Sequence, residues 1–184
     1  MSPFPLQTER LVLRAFTEQD LPAFTAYRND AEVARYQSWS SFSEADAAAF
    51  FASQRALAFD TDDTWFQIAV ERRADGVLLG DVAAHFFDAG QQVELGVTFA
   101  AAHQGCGHAL EAMSSVVALL FGPLNKHRVT ATVDARNLSA QRLFERQGFR
   151  REAHYREHTR FKGEWCDEYL YALLQREWKA DRPA

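Results

Sequence analysis

Apolar and polar positions along the chain fall into two periods, one of two residues and one of about three and a half. Arg10 to Phe16 alternates, as a half-buried strand does. Thr17, with Asp20 three residues on, carries a helix start signal, and the spacing predicts a helix to about Arg28. Ser43 and Asp46 repeat that signal ahead of Ala47-Ala48-Ala49-Phe50-Phe51, predicting a second helix to about Phe59. Thr64 to Arg72, the turn Ala74-Asp75-Gly76, and Val77 to Phe87 read as a β-hairpin. Gln91 to Phe99 alternates as a further strand. Leu110, Met113, Val117 and Leu120 then recur at i, i+3, i+7 and i+10, an amphipathic helix that stops near Gly122-Pro123. His127 to Asp134 is the next strand, and Leu138 to Gln147 a helix closed by Gly148. Phe149 to Tyr155 and Glu164 to Leu174 complete the pattern as two strands. The order β-α-α-β-β-β-α-β-α-β-β predicts an α/β fold, a mixed sheet with helices packed on it. Neither a repeat nor a linker interrupts it, so residues 1–184 are expected to form one domain.

Candidate chemistry concentrates between the strand ending at Phe99 and the helix that follows. Gln104-Gly105-Cys106-Gly107-His108-Ala109 is a short loop of small residues opening a helix. Glycines let backbone amides turn outward without a Cβ in the way. A helix N-terminus with exposed N–H groups and a positive dipole end binds anions, and a phosphate or pyrophosphate is the natural guest. The loop is not a G-x-x-x-x-G-K-[ST] phosphate loop, because no Lys-Ser/Thr follows. Nor is it a G-x-G-x-x-G dinucleotide turn, because Leu110 stands where the third glycine would be.

Composition narrows the partners. The chain has 184 residues, 47% hydrophobic and 24% charged, enough for one core-bearing domain. No apolar run approaches 18 residues, so no membrane span is expected. Met1-Ser2-Pro3-Phe4-Pro5 has neither a basic region nor an apolar core, so no signal peptide is expected. Cys106 and Cys166 lack metal-type spacing and read as free thiols of a reducing, cytoplasmic compartment. The net charge of -5 argues against a nucleic-acid surface and suits a cationic amine.

Gln104-x-x-Gly107-x-Ala109 resembles the Q/R-x-x-G-x-G/A pyrophosphate loop of the GNAT N-acetyltransferase superfamily. Other segments match that superfamily in order. Leu11-Val12-Leu13-Arg14 with Asp20-Leu21 resembles the "LRPL…D" opening of the RimJ/RimL-like branch, the ribosomal-protein N-terminal acetyltransferases. Trp65, Ile68-Ala69-Val70 and Leu79-Gly80-Asp81-Val82 resemble its "W-x-I…LIG" hairpin, and Glu94-Leu95-Gly96 its "EIGY" strand. Asn137-Leu138-Ser139-Ala140 leading to Glu145-Arg146-Gln147-Gly148-Phe149 resembles "N-x-x-S…EKxGF", and Gly163 to Tyr169 the closing "G-x-W-x-D" strand.

The resemblance implies a GNAT acyl-CoA N-acyltransferase fold with a mixed, mostly antiparallel sheet of about seven strands. It implies acetyl-CoA as co-substrate and direct attack of an amine on the thioester in a ternary complex. Gln104, Gly105, Cys106, Gly107, His108 and Ala109 would cradle the pyrophosphate. Val97, Thr98 and Phe99 would pair with the pantetheine arm, Phe99 offering an N–H to the acetyl carbonyl. Asn137 matches a position that contacts pantetheine, and it reads equally as a helix N-cap. Glu94 matches a carboxylate near the acceptor amine and is the candidate general base, directly or through a water; on the residues alone it also reads as a solvent-facing strand glutamate. Trp39, in the loop where the acceptor groove forms, is a candidate substrate contact. The acceptor is either a protein N-terminal α-amine or a small amine such as an amino acid, polyamine or antibiotic. A non-catalytic acyl-CoA-binding module is the competing reading. A homodimer is implied by the resemblance alone.

Two positions depart from the family pattern. Phe144 stands where many members carry a tyrosine acid, and Ala140 replaces the serine of "N-x-x-S", with Ser139 adjacent. Other residues read more plainly. Cys106 lacks a paired base nearby in sequence, and His103 and His108 read as solvated surface flanking the loop. His154 and His158 have helical metal-pair spacing in a strand-like region, so no metal is expected. Arg150, Arg151, Arg156 and Arg160 read as solvated or paired with glutamates, and Phe50-Phe51 and Phe86-Phe87 as core or groove wall.

Overall fold

A computed structural model describes the backbone of residues 2–180 and the side chains of residues 2–178. Strands β1 (Leu6–Gln7) and β2 (Leu11–Arg14) lead through a single 3-10 turn to α1 (Leu21–Arg28), the one-turn α2 (Ala31–Ala34) and α3 (Glu44–Ala56). Then come β3 (Thr64–Arg72), β4 (Leu78–Phe87), β5 (Gln92–Phe99), α4 (His108–Phe121), β6 (Arg128–Asp134), α5 (Leu138–Arg146), β7 (Arg150–Phe161), β8 (Glu164–Leu174) and α6 (Gln175–Ala180). All eight strands form one sheet in the order β1-β2-β3-β4-β5-β6-β8-β7. Every pairing is antiparallel except β5 with β6.

Four elements among the described residues go beyond the sequence expectation: β1, which makes the sheet eight-stranded, α2, a 3-10 turn at Ala101–His103, and α6. The helix expected from Thr17 begins with the 3-10 turn before Leu21. Asp20 closes that turn by accepting from the Thr17 N–H at 2.7 Å and from Arg14 at 2.7 and 2.8 Å. Burial pushes the Asp20 carboxyl up, but the hydrogen bonds from Arg14 and Thr17 outweigh it and hold the group below its ordinary value. Ser43 and Asp46 form the expected reciprocal cap of α3. No helix among the described residues is long and apolar enough to cross a membrane.

The alternation along each strand separates two cores. Val82, Ala84, Phe86, Val93, Leu95 and Phe99 face α4, whose Met113, Val116, Val117 and Leu120 are fully or almost fully buried against them. The opposite face carries a smaller aromatic core of Phe16, Phe24, Tyr27 and Val33 under α1 and α3. Buried apolar area of this kind stabilises at roughly 25 cal/mol per Å², so both helical layers are anchored. Glu94, Gly96 and Thr98 alternate with the α4-facing residues of β5 and therefore look toward the α1 side.

The feature that positions the site is a divergence within the sheet. Strands β5 and β6 pair only over Gln92–Glu94 and Arg128–Thr130. Beyond Glu94, β5 stays paired with β4 as far as Phe99, while β6 stays paired with β8 as far as Asp134. The sheet splits into a V whose vertex lies beside Glu94 and Thr130.

Candidate active site

Backbone alternation decides what the V exposes. The Ala100 N–H donates to the Leu79 carbonyl of β4 at 3.0 Å, and the Gln91 carbonyl accepts from His127 and Arg128 just ahead of β6. Odd-numbered residues of β5 therefore turn their N–H and C=O groups toward β6, and even-numbered ones toward β4. Past the vertex, Val97 and Phe99 point these groups into open space between the strands. The Phe99 carbonyl is taken by the Gln104 side chain, whose Nε2 donates to it at 2.9 Å. The free Phe99 N–H is left facing the V.

The loop after β5 supplies a second set of donors. Gly105 and Gly107 have φ of +73° and +80°, and Gly107 caps α4 without a side chain. The first intrahelical bond is Glu111 N–H to Gly107 O. The backbone N–H groups from Gly105 to Leu110 have no acceptor among the described residues, so six donors cluster at a helix N-terminus. The loop is clasped from outside. Arg10 donates from Nη1 to the Cys106 carbonyl at 2.9 Å and from Nε to Glu111 at 2.6 Å. Glu111 also accepts from Thr8 Oγ1 at 2.6 Å and from the Arg10 N–H at 2.9 Å. Burial raises the Glu111 carboxyl, but these donors outweigh it and hold it below its ordinary value.

A cavity of about 560 Å³ joins the V to this loop. Val97, Thr98 and Phe99 line it from β5, and Gln104, Gly105, Gly107, His108 and Ala109 from the loop and α4. Asn137, Ser139 and Ala140 line it from the start of α5. Every expected cofactor residue except Cys106 therefore borders one space. Cys106 is exposed outside it, with Sγ 3.4 Å from the Gln104 carbonyl. Asn137 caps α5, its Oδ1 accepting from the Ala140 N–H at 3.1 Å, and the residue also borders the cavity. His103, expected on solvated surface, also borders it, and the Nδ1 of His108 is buried without a partner among the described residues.

Two sets of lining residues were not anticipated. Glu32, Val33, Arg35, Tyr36 and Gln37 come from α2 and the segment after it. This strap is fixed from below. Tyr27 OH donates to the buried Asp81 at 2.6 Å, and Arg28 lies 3.6 Å from that carboxylate. Burial pushes the Asp81 carboxyl up, against the pull of Arg28 and Tyr27. The Arg28 guanidinium lies 4.3 Å over the Phe24 ring and 4.1 Å over the Trp39 ring. The strap also reaches the site directly, Gln37 Nε2 lying 3.5 Å from Thr98 Oγ1. The second set, Arg142, Leu143 and Arg146, extends along α5.

Trp39 does not line the cavity. Its ring covers Arg28 and its indole N–H donates to the Arg28 carbonyl at 3.0 Å, which leaves it half-buried. Phe144 is buried against Phe149 and Tyr171, which leaves Tyr36 as the tyrosine bordering the cavity. Glu94 does not line the cavity; it lies in register with His85 on β4 and Thr130 on β6. His85 stacks between Trp65 at 4.8 Å and Phe87 at 5.6 Å, so Glu94 borders an aromatic shelf on the α1 face. Trp65 is 43% exposed there, and Lys162, at the tip of the β7–β8 hairpin, donates to the Ala34 carbonyl across the same face at 2.6 Å. His154 and His158 pair with Asp167 and Glu168 at 2.7 and 2.8 Å.

Comparison with known proteins bears on the family and the fold. Residues 10–150 match the family described as "Acetyltransferase (GNAT) domain". An "Uncharacterized N-acetyltransferase YnaD" of Bacillus subtilis (strain 168) is 30% identical over 173 residues, which cover 94% of this chain and 98% of that protein. A spermidine N-acetyltransferase from Vibrio cholerae, solved in complex with CoA and spermine, has a TM-score of 0.79 at 22% identity, covering 94% of this chain and 99% of that one. Mycobacterium smegmatis RimJ, solved in complex with CoA-disulfide, also has a TM-score of 0.79, at 20% identity, covering 91% and 83%.

Proposed function

The chain belongs to the GNAT acetyltransferase family and is an acetyl-CoA-dependent N-acetyltransferase, and from that premise we propose that its acceptor is a protein N-terminal α-amine, as in the RimJ/RimL-like branch. One observation carries the assignment of the site: an unpaired strand edge at Val97 and Phe99 faces the same cavity as six free N–H donors of the loop. The first suits the amides of a pantetheine arm, the second a pyrophosphate. The fit extends to Gly107, where an added Cβ would stand 3.3 Å from Arg10 Nη2, and to the unpartnered His108 Nδ1.

Bound acetyl-CoA supplies an activated thioester; the remaining roles belong to this chain. Gly105 to Ala109 hold the diphosphate through backbone N–H groups, with Gln104 fixing the loop to Phe99. Val97 and Phe99 pair with the arm, and the Phe99 N–H stabilises charge on the thioester oxygen, a donor of the kind worth about 10²–10³ in rate. Asn137 offers its Nδ2 to the arm while its Oδ1 caps α5. Glu94, at the vertex, removes the proton of an amine arriving over the Trp65–His85–Phe87 shelf. It stands three residues, about 10 Å of strand, from Val97, which leaves room for a water between base and amine. Tyr36 gives the departing thiolate its proton in place of the tyrosine absent at Phe144.

The exposed shelf supports a polypeptide acceptor, which needs an open approach. Glu32 on the strap favours a second reading, a small polyamine, since a carboxylate at the cavity's edge attracts a cation. The two free cysteines support a reducing, cytoplasmic setting for a single-domain protein, and family resemblance supports a homodimer. Free-thiol release from acetyl-CoA tests the reading, with peptides bearing free N-termini beside spermidine and other small amines. Release with peptides supports the first acceptor, and release with amines alone moves the chain to the second. Silence with both, while CoA binds, favours a non-catalytic acyl-CoA-binding module.

A further inference from the structure

The proposed reading leaves one end of the cavity unassigned. Helix α5 starts at Asn137, beside the V, and ends at Arg146, about 13 Å away along its axis. Arg142 and Arg146 both border the cavity toward that far end. Their i, i+4 spacing sets the two side chains side by side on one helix face, with Leu143 and Ala140 lining the wall nearer the V. Both arginines are exposed, and neither has a hydrogen bond or ion pair among the described residues.

Other arginines, Arg55 and Arg156 among them, also lie on the surface without an ion pair among the described residues, but Arg142 and Arg146 are the unpaired ones that border this cavity, where Arg35 faces Glu32. Arg10, Arg14, Arg28, Arg128, Arg136 and Arg150 all lie against carboxylates. With 25 acidic residues and a net charge of -5, counterions are plentiful. Two adjacent guanidinium groups without one, at a cavity that also holds a diphosphate-type loop, match a second anion carried by the same ligand. A phosphomonoester suits them, because the planar fork of arginine takes two phosphate oxygens at once.

We propose that Arg142 and Arg146 form a phosphomonoester subsite that reads the 3′-phosphate on the ribose of coenzyme A. The inference rests on the assignment of the cavity to acetyl-CoA. The pantetheine end lies in the V and the diphosphate at the loop, so the nucleoside emerges beyond the loop, along the outer half of α5. There the two arginines distinguish coenzyme A from carriers that present pantetheine without a ribose phosphate.

Dephospho-coenzyme A, which lacks only the 3′-phosphate, tests this directly. Equilibrium binding of both nucleotides is measured for the wild type, Arg142→Gln and Arg146→Gln at low salt. The wild type is expected to prefer coenzyme A by about tenfold or more, the range of a charge-assisted hydrogen bond. Each variant is expected to bring that ratio to within about threefold while binding dephospho-coenzyme A as the wild type does. Melting temperatures should stay close to the wild-type value, because neither side chain holds another residue. Equal binding of the two nucleotides by the wild type overturns the subsite. So does a variant that weakens both nucleotides in proportion, which would put the arginines on a part the two share. If neither nucleotide binds the wild type, the cofactor assignment falls and the subsite with it.

Discussion

Gly80 on β4 lies so close to Thr98 on β5 that a Cβ on Gly80 would stand 2.2 Å from the Thr98 carbonyl oxygen and 2.7 Å from Phe99 Cα. Both obstacles are backbone, so neither can rotate away. This contact sets where the last residues of β5 run, and these residues form the open edge of the V. Gly80→Ala is expected to push Thr98 and Phe99 out of register. It should cost at least the roughly 1–3 kcal/mol of an overpacked core and weaken CoA binding. Gly96→Ala, two residues from Thr98 on the same strand, meets only the Ala83 Cβ at an ordinary 3.6 Å. Its melting temperature should stay close to wild type. Equal tolerance of the two substitutions by thermal melting would show that this close approach does not position the edge.

How much of this site is legible in the chain depends on the kind of signal each part carries. The long elements combine a period with punctuation: Ser43 with Asp46, Asp75-Gly76, Gly122-Pro123 and Gly148 all mark real boundaries. The loop is legible because glycine is needed where φ is positive. The V is not, because a two-residue period tells which face a side chain takes and not which strand lies beside it. The strap after α1 has neither period nor length. It is held by Tyr27 and Arg28 reaching Asp81, more than 50 residues away, so Tyr36 and Gln37 could not be placed at the cavity. Arg142 and Arg146 look like an ordinary solvated helix face until the cavity beside them is seen.

Trp39, expected to touch the acceptor, lies over Arg28 and outside the lining of the cavity. The loop it occupies suggested an acceptor contact, yet its indole caps the Arg28 carbonyl and its ring covers the Arg28 guanidinium. Trp39→Leu is expected to remove both interactions, costing on the order of 1–2 kcal/mol, with the strap loosened. Thermal melting should fall while the KM for the acceptor changes less than the KM for acetyl-CoA, whose cavity the strap borders. A selective rise in acceptor KM at unchanged stability would restore Trp39 as a substrate contact.

Gly107 joins two constraints, a φ of +80° and an Arg10 Nη2 only 3.3 Å from where a Cβ would sit. Gly107→Asp would strain the backbone and place a negative charge among the loop donors. A like charge at about 4 Å costs on the order of 1–4 kcal/mol between bulk water and a protein surface. CoA affinity should therefore drop by at least about tenfold. Gly105→Ala has nothing within 4 Å of the new Cβ, so its cost is the left-handed backbone alone, about 1–2 kcal/mol. Calorimetric titration of both variants with CoA separates charge from strain. Undiminished affinity in Gly107→Asp would remove the diphosphate from this loop.

The clasp around the loop should titrate. Glu111 has its carboxyl held below the ordinary value by Thr8 and Arg10 despite the opposing effect of burial. A lowered folded value means that the carboxylate stabilises the fold above the unfolded value, about 4.3, and that this share is lost as pH falls through the folded value. Glu111→Gln removes charge-assisted hydrogen bonds worth on the order of 1 kcal/mol. The variant should melt about 2–4 °C below wild type near pH 7 and approach it as the pH drops below about 4. A gap that stays constant with pH would mean that Glu111 acts through packing and not through its charge.

Glu94 sits at the vertex, the last residue at which β5 and β6 pair, and looks toward the face from which an acceptor would arrive. A substitution there can be confused with damage to the sheet, so Glu94→Gln is the informative change: it keeps the shape and hydrogen-bonding atoms and removes the basic carboxylate. The loop proposed to hold the diphosphate begins ten residues further along the chain, so CoA affinity should stay within about twofold of wild type. Turnover should fall by about 10²–10⁴, the range of a positioned general base. Single-turnover measurement with saturating acetyl-CoA should place the loss in the chemical step and not in product release. Equal losses of turnover and CoA affinity would make Glu94 a structural residue of the vertex. Undiminished turnover would put proton removal on another group, and His85, stacked in register beside it on β4, would be the next residue to change.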